Sequence, residues 1–340
     1  MSTTPRATVV IACYEAGSQL RPTLESVLAQ SVEEIEILLI DDGSRRDPVP
    51  DASELPDDPR IVVDRRPANG GYARVTNHAL DRARGEWITF VDADDIVEPS
   101  YLEALLAEGE DAEADVVMLP LMAVRGGKEL GPLPFDPPAG LSTGTEALAA
   151  LIHNRIVGSQ HMLWRTALGR TERNGTRPGH GDPEPLRAPD GETYSDFVLV
   201  ARLFARARTV AYLSEPLYRY TISPDSTSGG LSESVWDLVG VPAIVRPTLQ
   251  QTFPAAEAEE LYQELERHNV THILHKAARQ QQDSALRREV TDWARSRITL
   301  GGLLALLRGG HRAEAGSWAL VKLSPAAHRR ALHWRDARKG

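Results

Sequence analysis

Three carboxylates at the end of an apolar run are the group in this sequence best suited to chemistry. Asp92, Asp94 and Asp95 follow Trp87–Val91, whose apolar and β-branched residues predict a strand buried on both faces of a parallel sheet. Ligands of α/β sheets bind at the carboxyl ends of the strands, so we expect these acids to line a crevice. Hard oxygen ligands this close together suit Mg²⁺ or Mn²⁺, which then commonly binds phosphate and water as well. The alternative is an acidic turn before a helix, with Asp95 as N-cap and Pro99 in the first turn.

Polar segments also follow other predicted strands. The first strand, Thr8–Cys13, ends in a polar loop that begins at Tyr14, and the second, Glu36–Ile40, ends in Asp41-Asp42-Gly43-Ser44. Asn69-Gly70-Gly71 precedes a predicted helix, Tyr72–Ala83. Backbone amides at such a helix start can approach a ligand, and the helix dipole favours phosphate there; the alternative is a glycine turn without a ligand.

The elements that position these groups alternate as strand, helix, strand, strand, helix, strand. This order predicts an α/β fold. The first strand is not followed by Gly-x-Gly-x-x-Gly, and the sequence has no Gly-Lys-Ser/Thr loop. A dinucleotide site of the Rossmann type and a P-loop are therefore not predicted.

Composition indicates a globular protein that needs no disulfides. The chain has 340 residues, of which 41% are hydrophobic, enough for one large or two modest domains. The single cysteine, Cys13, lies in a predicted strand, and we interpret it as a core thiol rather than a nucleophile. The sequence shows neither a transmembrane run nor a signal-peptide segment, which predicts a cytoplasmic protein. Peripheral contact with the inner face of the membrane stays open.

The charge is unevenly distributed along the chain. The net charge is −10, yet Tyr262–Gly340 contains 15 Lys and Arg against 7 Asp and Glu. Such a segment suits an anionic partner, the alternative being solvated helix faces. His268, His272 and His275 share one helical stripe in this segment, for which we favour surface or acceptor contact over a metal site.

The order of these motifs resembles the family 2 glycosyltransferases, which are inverting enzymes of GT-A fold that use nucleotide sugars. The matching pieces are the first strand ending near Cys13-Tyr14, then Asp41-Asp42-Gly43-Ser44, then Asn69-Gly70-Gly71, and finally Gly85–Asp95. The resemblance covers about residues 7–230. It implies a GT-A, Rossmann-like mixed sheet with helices on both faces, followed by an α-helical C-terminal region.

The resemblance also implies roles for individual residues. Asp92 and Asp94 form the Asp-x-Asp motif that carries Mn²⁺ or Mg²⁺ bound to the donor diphosphate. The residues expected to bind the nucleotide sugar are Ala12, Tyr14, Glu15, Asp41, Asp42, Asn69, Gly71, Arg74, Asp92 and Ala93.

Two segments depart from the family pattern. Ala12-Cys13-Tyr14-Glu15 lacks the Pro and Asn that often flank the tyrosine position, and Val75-Thr76-Asn77 stands where the family commonly has Ala-Arg-Asn. Arg74 can replace the arginine absent from position 76 only if the first helical turn is irregular, because the two positions lie about 200° apart around a helix. A solvated surface arginine is the alternative.

The predicted general base is Asp196. The family has Glu-Asp at the start of a helix at this point, and here Ser195-Asp196 stands there, within a segment that follows the long polar loop Arg170–Gly191. An inverting transfer needs one carboxylate to accept the proton of the acceptor hydroxyl. A helix N-cap is the structural alternative for Asp196, and Glu192 is the alternative base. Arg219, in a segment with paired tyrosines, is a further residue whose reach to the diphosphate stays open.

Together these features predict a catalytic domain at residues 1–230 and a helical region at 231–340. Residues 1–125 would form the nucleotide-sugar half and 126–230 the acceptor half, and the basic region would bind the acceptor, mediate homo-oligomerisation, or both. A UDP-sugar is the favoured donor, and a hexosyl or N-acetylhexosaminyl group the favoured cargo. The layout resembles family members that decorate anionic wall polymers such as teichoic acids, so an anionic polymer or polysaccharide is the favoured acceptor, with no nucleic-acid partner.

Other functions remain open from the sequence. The acceptor alternatives are a lipid-linked sugar, a peptide or a small natural product. A nucleotidyltransferase shares the acidic metal site but normally has a basic glycine-rich loop after the first strand, and Tyr14–Leu20 contains no Lys or Arg. A non-catalytic carbohydrate-binding protein would explain Thr76 and Ser195, whereas Asp92, Asp94 and Asp196 favour an enzyme.

Overall fold

The chain divides into two compact units. A computed structural model describes residues 4–51, 53–156, 161–169, 185–190, 194–222, 231–280 and 284–336. The first unit comprises Met1–Ile222 with Gln251–Phe253, and the second comprises Ser223–Gln250 with Pro254–Gly340. The assignment of donor, acceptor and C-terminal roles to segments of the chain stays a prediction.

The first unit is built on two sheets with helices packed against them. Its strands are β1 (Ala7–Cys13), β2 (Ile35–Asp41), β3 (Ile61–Arg65), β4 (Trp87–Asp92), β5 (Ile96–Val97), β6 (Val116–Met118), β7 (Leu121–Arg125), β8 (Lys128–Pro132), β9 (Leu163–Arg165), β10 (Val210–Tyr212) and β11 (Tyr218–Thr221). Its helices are α1 (Leu20–Leu28), α2 (Tyr72–Arg82), α3 (Tyr101–Asp111), α4 (Gly144–Ile152) and α5 (Ser195–Arg206), with a 3-10 helix at Thr166–Gly169.

The larger sheet has the strand order β10-β6-β9-β4-β1-β2-β3. All neighbouring pairs are parallel except those of β9, which runs antiparallel to β4 and β6. Residues such as Val10 and Ile11 are completely buried because helices cover both faces of β1. The predicted mixed α/β sheet is confirmed.

A second, smaller sheet was not predicted. It has the order β5-β11-β7-β8. The apolar run Val116–Val124 is divided between β6 and β7, which belong to different sheets, and the proline between them, Pro120, has no N–H to continue a ladder. The glycine- and proline-rich segment Gly126–Gly144 contains β8, which pairs with β7 through a turn whose Gly126 and Gly127 have φ of 55° and 78°.

The second unit is helical, as predicted. Its helices are α6 (Val235–Thr252), α7 (Ala255–Arg279), α8 (Ala285–Arg297), α9 (Leu300–Arg308), α10 (Arg312–Leu323) and α11 (Pro325–Asp336). An apolar cluster that includes Val270, Ala294, Leu306 and Trp318 forms part of its core.

Helix α6 continues through Pro242 and Pro247, although a proline inside a helix removes a backbone donor and commonly breaks the helix. Pro242 deprives the carbonyl of Leu238 of its helical donor, because that carbonyl lies four residues earlier. The side-chain amide of the buried Asn269, in α7, donates a hydrogen bond to this carbonyl. Tertiary packing therefore supplies the donor that the proline removes.

Two sequence predictions concern burial and membranes. Cys13 is buried, and burial together with the carboxylates of Asp41 and Asp92 raises the pKa of its thiol, as expected of a core thiol. Within the described ranges, no helix has both the length and the apolar composition needed to cross a bilayer.

Candidate active site

The strand ends predicted to line a crevice lie side by side in the structure. In the register of the sheet, Cys13 of β1 lies beside Asp41 of β2, and Ala12 lies beside Asp92 of β4. The carboxyl ends of three neighbouring strands therefore meet at one edge. The acidic residues at this edge come from different segments of the chain, as the sequence predicted.

A histidine that sequence reasoning did not identify joins the acids at the end of β4. Asp92, Asp95 and His161 each place one ligand atom within 4.8 Å of the others. His161 precedes β9, and the antiparallel pairing of Ile88 with Trp164 brings this segment beside the end of β4. The signal in the sequence was weak, because a lone histidine two residues before a three-residue strand does not indicate which strand its segment lies beside.

The hydrogen bonds of His161 determine how its two ring nitrogens are used. Nδ1 lies 3.2 Å from the carbonyl oxygen of Phe90, an acceptor, so Nδ1 carries a hydrogen and donates. Nε2 lies 3.4 Å from the Oδ2 atom of Asp92. Burial lowers the pKa of His161, but the charge of Asp92 and the hydrogen bond to it outweigh burial and raise the pKa to about 9. His161 is therefore an imidazolium ion that neutralises Asp92.

Asp92 is the most connected carboxylate of the site. Its Oδ1 atom accepts a hydrogen bond from the Tyr72 hydroxyl at 3.0 Å, and its side chain is 31% exposed. Burial by itself raises the pKa of Asp92. The charge of His161 and the hydrogen bonds from His161 and Tyr72 lower this pKa by a larger amount, so the net shift is downward. Asp92 is thus ionised and accessible from the crevice.

Asp95 binds the second sheet instead of capping a helix. It is completely buried, and its two oxygens accept hydrogen bonds of 2.6 Å from the Tyr218 hydroxyl and from the backbone N–H of Thr221. Burial raises its pKa to about 7. The N-cap alternative for Asp95 is wrong, because α3 begins at Tyr101, after Ser100.

We expect the substitution Tyr218→Phe to destabilise the first unit. The Tyr218 hydroxyl donates to Asp95 and accepts a 3.1 Å hydrogen bond from the backbone N–H of Asp92, and both Tyr218 and Asp95 are completely buried. Its removal leaves one oxygen of the buried Asp95 carboxyl group without its donor, which costs about 1–3 kcal/mol of unfolding free energy. Chemical denaturation measures this change.

Tyr212→Phe is a matched control for that measurement. The Tyr212 hydroxyl, in the edge strand β10 of the larger sheet and away from the acidic group, makes a 2.7 Å hydrogen bond to the neutral, part-buried Ser142 hydroxyl. We expect a loss of about 1 kcal/mol or less there. Equal losses in both variants would contradict a special role for the Tyr218–Asp95 pair.

Asp94 is the exposed carboxylate of the group. The Thr221 hydroxyl donates to its backbone carbonyl, but, unlike that of Asp95, its carboxylate accepts no hydrogen bond from another residue in the part of the chain that the structure describes. Burial and the neighbouring charge of Asp92 raise its pKa. Two carboxylates that repel each other at an open crevice fit a divalent cation, because the cation removes the repulsion and takes the free lone pairs.

The carboxylates of Asp41 and Asp42, which were predicted to hold the nucleoside, accept hydrogen bonds from other groups of the protein. Asp41 accepts hydrogen bonds from the backbone N–H groups of Ser44 at 2.9 Å and Val49 at 3.0 Å. Asp42 accepts a hydrogen bond from Arg66 and others from the Gly70 and Gly71 amides. Both carboxylates are buried. They shape the loops around the crevice, and contact with a nucleoside stays a prediction.

The amides at the start of α2 are engaged within the protein. The Gly71 N–H lies 2.8 Å from Asp42 Oδ2 and 2.8 Å from Asn69 Oδ1. Gly71 has φ of 81°, a conformation that favours glycine. The expected contact of Asn69 and Gly71 with the donor therefore requires these hydrogen bonds to be shared or exchanged.

The loop after β1 contains a solvent-exposed aromatic ring, that of Tyr14. Glu15 anchors the neighbouring loop, because its carboxylate accepts hydrogen bonds from the backbone N–H groups of Arg45, Arg46 and Asp47. Tyr14 is 50% exposed. Of the residues predicted at this loop, Tyr14 is the one whose side chain faces solvent and can pack on a ligand.

Arg74 lies on a regular helix. Helix α2 begins at Tyr72, and the guanidinium of Arg74 is 3.4 Å from Asp190 Oδ2, with both side chains more than half exposed. The irregular first turn required for Arg74 to replace an arginine at position 76 is absent. The predicted role of Arg74 at the donor stays without structural support. Arg219, whose reach was left open, is paired with Glu98 and Glu129.

Asp196 lies in the first turn of α5. Burial raises its pKa to about 6, and the charges of His161 and Asp92 act on it in opposite directions. Asp196 is therefore within electrostatic reach of the acidic group at the end of β4. A pKa near neutrality suits a general base.

Several predictions concern residues that the structure does not describe or does not bring together. Glu192 and most of the predicted loop Arg170–Gly191 lie outside the described residues. His268, His272 and His275 do not form a candidate metal site among the described residues; His275 instead stacks on His328, with ring centroids 6.3 Å apart.

Comparisons with known proteins agree with the geometry. Residues 8–168 match the family described as glycosyl transferase family 2. EpsH from Bacillus subtilis (strain 168) is 31% identical over 228 residues, which are 64% of this chain and 61% of that protein. The glycosyltransferase GlyG from Streptococcus pneumoniae is 38% identical over 112 residues, which are 32% of this chain and 37% of that protein. The chain thus spans less than two thirds of the length of these relatives.

Solved structures share the fold at low sequence identity. Residues 1–349 of S. aureus TarS, crystallised with UDP-GlcNAc, superpose with a TM-score of 0.64 at 17% identity, covering 94% of this chain and 91% of that one. The mannosyltransferase PcManGT from Pyrobaculum calidifontis, in complex with GDP-Man and Mn²⁺, gives a TM-score of 0.51 at 14% identity, covering 98% and 88%. These likenesses show the fold alone.

Proposed function

We propose that this chain, a member of the family 2 glycosyltransferases of GT-A fold by the match over residues 8–168, transfers a sugar from a nucleoside-diphosphate sugar to an acceptor hydroxyl with inversion. The observation that carries the proposal is the grouping of Asp92 and Asp94 at the end of β4 with Asp196 in electrostatic reach. Such a group supplies a cation site and a base from one crevice.

Asp92 and Asp94 would hold the divalent cation. Their carboxylates repel each other in its absence, and Asp94 is exposed to the crevice. Bound there, Mn²⁺ or Mg²⁺ supplies positive charge that stabilises the negative charge of the departing diphosphate. The ordinary preference of both ions for carboxylate and phosphate oxygens supports this assignment.

Asp196 would act as the general base. Its carboxylate accepts the proton of the acceptor hydroxyl while that oxygen attacks the anomeric carbon. The bond between the anomeric carbon and the diphosphate oxygen breaks with its electron pair, and the nucleoside diphosphate leaves on the opposite face. A single carboxylate is enough, because the leaving group needs no proton when its charge is stabilised.

We favour a UDP-sugar as donor and a hexosyl or N-acetylhexosaminyl group as cargo. TarS, which shares the fold, binds UDP-GlcNAc, whereas PcManGT binds GDP-Man, so nucleotide choice varies within the fold. The half-exposed ring of Tyr14 can pack on the base. The favoured acceptor is a glycan or an anionic cell-wall polymer, since the helical unit carries the basic segment Tyr262–Gly340.

A thermal-shift panel tests this proposal. UDP-, GDP-, CDP- and dTDP-sugars are each added with Mn²⁺, with Mg²⁺ and with chelator. We expect one nucleotide family to stabilise the protein in the presence of metal and not in its absence. Stabilisation by none of them would overturn the proposal, and binding without donor hydrolysis or transfer would favour the non-catalytic alternative.

We expect the pH dependence of activity to report Asp196. The carboxylate is the active form, and burial raises its pKa to about 6. The value of kcat/KM is therefore half-maximal at about pH 6, approaches its full value about one pH unit above and falls about tenfold per pH unit well below, because the free enzyme's base is then protonated. Initial rates measured from pH 4.5 to 8.5 check this limb. An acid limb centred near pH 4, the ordinary aspartate range, would contradict the assignment.

A further inference from the structure

The helical unit contains a cavity that the proposed transfer does not use. It lies among α6, α7, α8, α9 and α10 and has a volume of about 750 Å³, within the range of cavities that bind small molecules. Among its lining residues are Tyr262, Glu266, Arg267, Trp293, Arg297 and Trp318. All of them belong to the second compact unit.

Aromatic rings held in fixed positions form part of the cavity wall. The Trp318 indole N–H donates a 2.9 Å hydrogen bond to the Thr271 hydroxyl, which orients that ring. Trp293 packs edge-on against Trp236, with centroids 6.2 Å apart. Trp318 is only 2% exposed, so it forms part of the apolar floor, whereas Trp293 is partly exposed and offers an apolar ring on which the C–H face of a pyranose can pack.

Two guanidinium groups in the cavity wall have no carboxylate partner among the described residues. Arg297 lies over the Trp293 ring at 5.6 Å, and no described residue places an acid within 4.0 Å of either Arg297 or Arg267. Many other arginines of the protein are paired with acids, for example Arg246 with Glu259. The wall therefore carries positive charge available to an anion, and guanidinium groups bind carboxylate and phosphate oxygens well.

The same wall also contains groups suited to hydroxyls. The Glu266 carboxylate accepts a 2.9 Å hydrogen bond from the Tyr262 hydroxyl, and its other oxygen has no hydrogen bond among the described residues. The side-chain amide of Gln263 lies nearby on the lining. A carboxylate oxygen accepts hydrogen bonds from sugar hydroxyls, whereas its negative charge repels a phosphate group.

We propose that this cavity binds an anionic sugar unit, one that carries a carboxylate or a phosphate, in the acceptor chain of the transfer. Trp293 would pack on the sugar ring above the buried Trp318. Arg267 and Arg297 would bind the anionic group, and Glu266 would accept hydrogen bonds from hydroxyl groups. The role of the bound sugar as part of the acceptor rests on the proposed function, whereas the binding of an anionic saccharide does not.

Calorimetric titration of the full chain, without donor or metal, tests the binding. The probes are a glucuronate-containing tetrasaccharide, a tetrasaccharide carrying one phosphate, neutral maltotetraose, UMP and inorganic phosphate. We expect one or both anionic tetrasaccharides to bind at least about tenfold more tightly than maltotetraose, UMP or phosphate. The two anionic probes separate a carboxylate from a phosphate as the group bound.

Variants place the binding in the cavity. Arg267→Gln and Arg297→Gln each remove one guanidinium, and we expect each to weaken binding about tenfold, with unchanged melting temperatures as evidence of folding. Arg308→Gln, at an exposed arginine of the same unit, is the matched control and leaves binding unchanged. Trp293→Leu tests the aromatic wall independently of charge and is expected to weaken binding of every tetrasaccharide.

Some outcomes would overturn the proposal. Equal binding of neutral and anionic tetrasaccharides, tighter binding of UMP, or an equal loss in Arg308→Gln would each contradict an anionic sugar site here. Because the titration uses neither donor nor metal, failure of the donor panel leaves its result intact. Conversely, if transfer to an anionic acceptor is measured and its KM is unchanged in Arg267→Gln and Arg297→Gln, the acceptor role is wrong while the proposed transfer stands.

Discussion

Replacing Asp196 with asparagine is expected to abolish sugar transfer while leaving donor binding intact. The amide cannot accept the proton of the attacking hydroxyl, and loss of a general base lowers kcat about 10³-fold. Asparagine has nearly the same volume, and Asp196 lies in the first turn of α5, where an amide is tolerated. Donor binding depends on the end of β4, so the thermal shift with nucleotide sugar and metal remains.

The Asp196 experiment needs a rate measurement and a binding measurement on the same samples. Initial transfer rates give kcat, and the thermal shift gives donor binding. Asp111→Asn, at an exposed carboxylate that ends α3 in the same unit, is the matched control and keeps both. A fully active Asp196→Asn enzyme would exclude Asp196 as the base. Glu192 would then be the next candidate.

The buried strands and the acidic crevice were predictable because their signals are local. Apolar runs such as Trp87–Val91 are buried on both faces only in a covered parallel sheet, and the carboxyl ends of such strands meet at one edge. Asp41, Asp92 and Asp94 follow runs of this kind. Local composition was therefore enough to place these carboxylates near one another.

The partners of those acids were not predictable, because they come from distant segments of the chain. His161 reaches Asp92 only through the antiparallel pairing of β9 with β4, and Tyr218 reaches Asp95 from β11, 123 residues later. The length and composition of the sequence between them do not specify these pairings. Asp95 therefore looked like a helix cap from its neighbours, whereas tertiary donors determine its conformation.

The continuity of α6 shows the same limit. A proline inside a helical pattern removes a backbone donor, so the local rule predicts a break at Pro242. The compensating donor, the side chain of Asn269, lies on the next helix. The rule failed here because a side chain 27 positions away donates the hydrogen bond that the proline cannot.

Metal binding should distinguish Asp94 from Asp95. The geometry groups Asp95 with Asp92 and His161, but both Asp95 oxygens already accept 2.6 Å hydrogen bonds and the residue is completely buried. Asp94 is exposed and has free lone pairs. We therefore expect Asp92→Asn and Asp94→Asn each to weaken Mn²⁺ binding by at least about a hundredfold, since a lost ligand costs no less than a lost outer partner.

Asp95→Asn is the matched comparison, because it makes the same chemical change one residue away. We expect it to lower the melting temperature, since the amide cannot accept hydrogen bonds at both positions from Tyr218 and Thr221, and to change Mn²⁺ affinity less than tenfold. Titration followed by electron paramagnetic resonance of free Mn²⁺ gives the affinities. If Asp95→Asn instead loses Mn²⁺ and Asp94→Asn retains it, the ion occupies the Asp92–Asp95–His161 group.

His161→Gln separates the two ligand sets further. In the arrangement we favour, His161 neutralises Asp92 and binds no metal, so its removal takes a positive charge from the site and leaves Mn²⁺ affinity unchanged or higher. If the imidazole is a ligand, the same substitution weakens Mn²⁺ binding and diminishes the preference for Mn²⁺ over Mg²⁺, because imidazole suits the transition metal better. The sign of the affinity change therefore decides between a charge partner and a metal ligand at His161.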